Sequence, residues 1–150
     1  MTATITPGPR SPGRRAALTW ADWRLLVAVA VAQAITSAAL RAMPLPALRT
    51  RASRLRRIAR FVAPDSEERV VWALEATGRR LAGLSTCLVR ALVAELLLGS
   101  PDQPTRLTIG VRHGMNGSTL ESHAWVAREG RVVIGAPPDG YISLVEWSSL

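Results

Sequence analysis

The periodicity of the apolar residues changes once along this chain, at Ser100-Pro101-Asp102-Gln103-Pro104, and that change limits the possible folds more than any other feature. Before it, apolar side chains recur at helical spacing or fill runs too long for a strand. After it come short alternating runs rich in Val, Ile and Thr, separated by Gly and Pro. Helices followed by an antiparallel meander predict an α+β fold.

Four helices are expected. Thr19 caps the first, Asp22 sits in its first turn where the helix dipole favours an anion, and Pro44 with Pro46 ends it after Met43. Its stretch Leu25 to Leu40 carries no charge over 16 residues, short of the roughly 20 apolar residues that cross a bilayer. It reads as a buried or partner-facing helix, with membrane contact as the alternative. Ala47 to Val62 spaces six Arg among Leu48, Leu55, Ile58 and Phe61, a basic amphipathic helix that reads as a solvated face over a core stripe, with an anionic lipid headgroup or an acidic partner peptide as the alternative for its arginines. Pro64-Asp65-Ser66-Glu67-Glu68 opens the third helix, which runs to about Leu81. The fourth starts at Ser85-Thr86-Cys87, ends at Leu98 and is closed by Gly99. Only Arg90 and Glu95 interrupt it, so it is buried on most sides. Three strands follow, at Arg106–Val111, Ser122–Arg128 and Arg131–Ile134, the last two joined by a Glu129-Gly130 hairpin.

A length of 150 residues, 48% hydrophobic and 20% charged, suits one folded domain. The net charge of +8 suggests nucleic acid until its distribution is read. Residues 1–60 hold eleven Arg and one acid, and residues 61–150 hold eight Arg and ten acids. This gives a disordered tail at 1–18, an apolar and Arg-rich helical docking region at 19–63, and a nearly neutral core at 64–150. No aromatic platform accompanies the arginines, so nucleic acid is not expected as a partner. There is no Lys, which excludes a P-loop and a Lys nucleophile. One Cys excludes an internal disulfide and a Cys-rich zinc site; neither a metal nor another cofactor is expected.

That lone Cys87 is either a small core residue or a working thiol. At the start of a helix, unpaired backbone N–H groups and the dipole stabilise a thiolate. Arg90, one turn on, leans back toward the sulfur or else pairs with an acid such as Glu75. His123 is the base candidate: on a strand it shares a face with Trp125 while Ala124 and Val126 face the other way. His113 is a weaker rival in the glycine-bearing loop from Arg112 to Glu121.

Ser85-Thr86-Cys87-Leu88-Val89-Arg90-Ala91-Leu92, Arg106-Leu107-Thr108-Ile109-Gly110-Val111, His123-Ala124-Trp125-Val126 and Gly130-Arg131-Val132-Val133, in this order and spacing, resemble the transglutaminase-like leader peptidases of lasso-peptide biosynthesis, relatives of the C-terminal half of the microcin-processing protein. The resemblance spans about Leu25 to Leu144. It implies a transglutaminase/papain-like core in which a Cys-bearing helix packs on an antiparallel sheet, with Cys87 as nucleophile and His123 as general base and acid. Trp125 and Arg90 would line the substrate site. The family's third member is an Asp about a dozen residues after the His; Gly135 stands there, leaving Asp139 or a backbone carbonyl to orient the imidazole. Also implied are the lasso precursor peptide as substrate, a stand-alone leader-binding winged-helix protein and an ATP-dependent macrolactam synthetase as partners, and a cytoplasmic site, with peripheral membrane contact as a second use of the N-terminal helices. The alternatives are an acyltransferase on the same fold and a non-catalytic membrane-associated adaptor with a vestigial site. Tyr141 to Leu144 reads as packing, and Trp147 has no assigned role.

Overall fold

The computed structural model describes residues 18–62, 66–114 and 119–149, with the side chains of residues 57 and 60–62 excepted. Apart from Leu18, the expected tail lies outside the described residues.

Helix α1 spans Trp20–Ala42, α2 Leu45–Val62, α3 Glu67–Arg80 and α4 Cys87–Leu98. Each start that sequence assigned to a hydroxyl cap has one. Thr19 accepts from the Asp22 backbone N–H, and the Asp22 carboxylate accepts in return from the Thr19 N–H at 2.8 Å, a closed capping box. Ser66 caps α3 and Thr86 caps α4. Gly99 closes α4 as expected, as its C-cap with an extended backbone at φ −69°; it is small because a Cβ there would lie 2.7 Å from the Glu95 carbonyl oxygen.

The sheet has four strands: β1 Thr105–His113, β2 Leu120–Arg128, β3 Arg131–Ile134 and β4 Ile142–Ser148, in the order β3-β2-β1-β4, all antiparallel. The first three form the expected meander, and Glu129 and Gly130 turn the hairpin with φ 52° and 77°. β1 and β2 run further toward each other than the sequence suggested, pairing out to His113 and Leu120. The fourth strand was not expected. Its chain passes from β3 at one edge to the far side of β1, with a register shift opposite Ile109 and Gly110.

The helices cover one face of the sheet. Leu107, Ala124, Val126 and Ile134 on that face join Leu92, Val93 and Ala94 of α4, Val70 and Leu74 of α3, and Leu25, Leu26 and Val29 of α1 in one core cluster. α1 and α2 therefore share the core with α3 and α4. Two polar links cross it. Gln33 of α1, fully buried, donates to Thr77 of α3 at 2.5 Å and accepts from the Ser85 hydroxyl just before α4. Glu95 of α4, also buried, receives a two-pronged bond from Arg49 at 3.2 and 2.5 Å and an ion pair from Arg56 at 3.5 Å. The inward face of α2 is thus Leu48, Arg49, Ala52 and Arg56, packed near Leu92 and Glu95. The expected apolar stripe is corrected accordingly: Leu55 and Ile58 are exposed, because burying Glu95 needs cations on the side of α2 that meets α4.

Candidate active site

Cys87 is the first residue of α4. The Thr86 hydroxyl accepts from the Val89 N–H at 3.3 Å, and the Thr86 carbonyl accepts from the Arg90 N–H at 3.0 Å. The N–H groups of Cys87 and Leu88 fall in the turn that has no intrahelical acceptors. The side chain is half-buried and packs against the core cluster. Two residues earlier, Ser85 is pinned through Gln33 to α1 and α3, so two helices fix where α4 begins.

His123 lies on β2 opposite Gly110 of β1. Alternation along β2 sends Ala124 and Val126 into the core beneath α4 and places His123 and Trp125 together on the other face. The imidazole Nε2 lies 3.0 Å from the carbonyl oxygen of Gly135. A carbonyl oxygen can only accept, so Nε2 carries a proton, and in the neutral ring Nδ1 is then the nitrogen with the basic lone pair. Gly135 can present its carbonyl this way because its backbone is left-handed, at φ 70°, and a Cβ there would sit 2.7 Å from the Ala124 carbonyl oxygen.

Aromatic rings enclose the imidazole. Trp125 stacks near it with centroids 6.4 Å apart, Tyr141 lies at 5.6 Å, and Trp125 meets Tyr141 edge-on at 6.5 Å. Trp125 lies over Gly110, where a Cβ would approach its ring to 2.6 Å. The Arg112 guanidinium lies over Tyr141 at 4.9 Å and is itself held by Glu121 at 2.7 Å. Beyond Trp125 a groove of about 480 Å³ runs over the outer face of the sheet, lined by Thr108, Ala127 and Val132 and edged by the Arg106–Glu146 ion pair.

The structure thus gathers His123, Trp125, Tyr141 and the Gly135 carbonyl. Among the described residues no hydrogen bond joins Cys87 to His123. Arg90 takes the second of its two expected courses and pairs with Glu75 at 3.6 Å. Asp139 is exposed in the turn before β4 and makes no hydrogen bond or ion pair among the described residues. His113 is exposed at the end of β1. Sequence reasoning left Tyr141 as packing and missed Gly110. The Gly-for-Asp departure did point to residue 135, and its backbone is what the imidazole meets. Trp147 packs against the core with Arg49 5.1 Å above its ring.

Among the described residues no group of three or more His, Cys, Asp or Glu side chains is placed to hold a metal ion. No curated protein and no solved structure matches the chain. The family model described as the transglutaminase-like superfamily matches residues 18–145, from the residue before the α1 cap into β4. With that match covering the four helices and most of the sheet, the chain belongs to the transglutaminase-like superfamily.

Proposed function

We propose that the protein is a cysteine peptidase that removes the leader from a lasso-peptide precursor. The observation that carries this reading is the Nε2–Gly135 contact at 3.0 Å, which holds the imidazole from the sequence position where the resembled peptidases have an Asp. Cys87 at the capped start of α4 is the nucleophile. Nδ1 of His123 takes the thiol proton, the thiolate attacks the scissile carbonyl, and the imidazolium returns the proton to the leaving amine. The amine that leaves is the start of the core peptide, and water, deprotonated by the same nitrogen, then frees the leader from the Cys87 thioester. The free N–H groups of the first turn of α4 are the natural donors to the oxyanion. The proton transfer requires the His123 ring, which lies on the sheet face away from the core, to reach the start of α4 when substrate binds. The groove beside Trp125 offers the peptide a place to lie. Arg90, committed to Glu75, serves to fix α4 against α3.

The test is incubation of the protein with a lasso precursor and its leader-binding protein, followed by mass spectrometry. Wild type releases free leader and core; Cys87→Ala and His123→Ala each lose roughly 10³-fold or more in rate. Asp139→Ala keeps activity if the Gly135 carbonyl suffices and loses it if Asp139 swings onto the imidazole. A leader–amine conjugate would instead assign the acyltransferase reaction. Processing that survives Cys87→Ala would leave only the adaptor role. A reduced thiol and action on a newly made precursor place the protein in the cytoplasm under this reading.

A further inference from the structure

Helix α1 is apolar on both sides, and the core accounts for only one of them. Leu25, Leu26, Val29, Gln33 and Ser37 face inward. On the opposite side Trp20 is 77% exposed, Trp23 53%, Val27 58%, Val31 51% and Ile35 63%. Helical spacing puts these five on one stripe together with Ala34 and Ala38, and from Val27 to Ala38 that stripe carries no polar residue. A helix hydrophobic all round is normally covered all round. The residues preceding α1 are Pro, Gly, Thr, Ser, Ala and Arg with one Met, one Ile and one Leu, too little apolar surface to cover it.

Charge identifies the cover. The stripe is bracketed by exposed Arg24 and Arg41, about 25 Å apart along the axis. Arg10, Arg14 and Arg15 precede it in sequence, and Arg51 and Arg54 are exposed on α2. Asp22 is the one acid before residue 65, and it is occupied by Thr19 and by Arg69 at 2.6 Å. An apolar face with two Trp at one end, Arg at both ends and a cationic surround matches an anionic lipid–water interface. Spanning the bilayer would strip Leu25, Leu26 and Val29 from the core and carry Gln33 into hydrocarbon, so the helix lies on the surface. We propose that α1 docks the folded domain onto anionic lipid through Trp20, Trp23, Val27, Val31 and Ile35. This proposal does not depend on the peptidase reading.

The test is flotation of the full chain with extruded vesicles of phosphatidylcholine alone or mixed equally with phosphatidylglycerol. Wild type is expected to partition about tenfold or more strongly onto the mixed vesicles, with the preference collapsing at high salt. Val31→Asp, on the solvent side and therefore neutral to folding by circular dichroism, lowers that partition about tenfold or more, and Arg24→Gln with Arg41→Gln lowers it severalfold. Cys87→Ala binds as wild type does. Equal partition onto both vesicle types, or a Val31→Asp variant that binds like wild type, overturns the proposal. So does a dimer in vesicle-free solution that Val31→Asp dissociates while neither form floats, since a second copy would then be the cover.

Discussion

Gln33 reads in sequence as a polar interruption that weakens an apolar helix. In the fold it is the acceptor for Ser85 and the donor to Thr77, tying the approach to Cys87 to two helices. Nothing within α1 announces this, because the partners lie 44 and 52 residues away. Gln33→Leu keeps the volume and strands a buried hydroxyl, so it is expected to cost about 1–3 kcal/mol in urea unfolding and to slow turnover by loosening the start of α4. Residue 135 shows the converse. Sequence flagged it only as a missing Asp, and the backbone supplies the reason: with φ 70° and the Ala124 carbonyl 2.7 Å from any Cβ, no side chain fits without movement. Gly135→Ala is expected to cost about 1–3 kcal/mol and to release the imidazole. Gly135→Asp is expected to do the same, so inserting the family's acid does not improve activity; a more active Gly135→Asp enzyme would contradict this account.

At the scale of elements, the helices were legible because their ends carry local chemistry. The capping box of α1 also gives a pH dependence. The Thr19 hydroxyl and backbone bonds, followed by Arg69, hold the Asp22 carboxyl below its ordinary value near 3.8. The unfolded chain therefore binds the proton more readily, and the stabilisation present above that value is lost as pH falls through the folded-state titration. Acid unfolding followed by circular dichroism should show this loss in wild type, and Asp22→Asn should remove it. α2 was legible as a helix and misread in orientation, because the apolar pattern of Leu48, Leu55 and Ile58 outweighed a buried acid on another helix. Removing that acid leaves Arg49 and Arg56 facing a dry interface. Glu95→Ala is expected to cost about 2–4 kcal/mol in thermal or urea unfolding, whereas a loss below about 0.5 kcal/mol would mean that α2 is held by Leu48 and Ala52 alone. β4 was missed for a physical reason: as an edge strand exposed at nearly every position, Ile142 to Ser148 has no inside-outside alternation to read.

Over the whole molecule, the order of helices before strands was enough to give the α+β class, and the one cysteine with a strand histidine was enough to nominate the chemistry. Sequence left the histidine's support open between Asp139 and a backbone carbonyl, and it could not supply the outward face of α1, which looks like any buried helix until one side is seen to be exposed. The division of charge at residue 60 follows from this: part of the basicity neutralises Glu95 inside the protein, and part stands outside beside an apolar stripe. The central claim is that Cys87 and His123 act as one unit. Because the chain has a single cysteine, alkylation by iodoacetamide reports on Cys87 alone, without substrate or partner. At pH 6 the wild-type thiol should be alkylated about tenfold or more faster than in His123→Ala, with the two rates converging above pH 9 where any thiol is ionised. Equal rates in the two proteins at pH 6 would contradict the account.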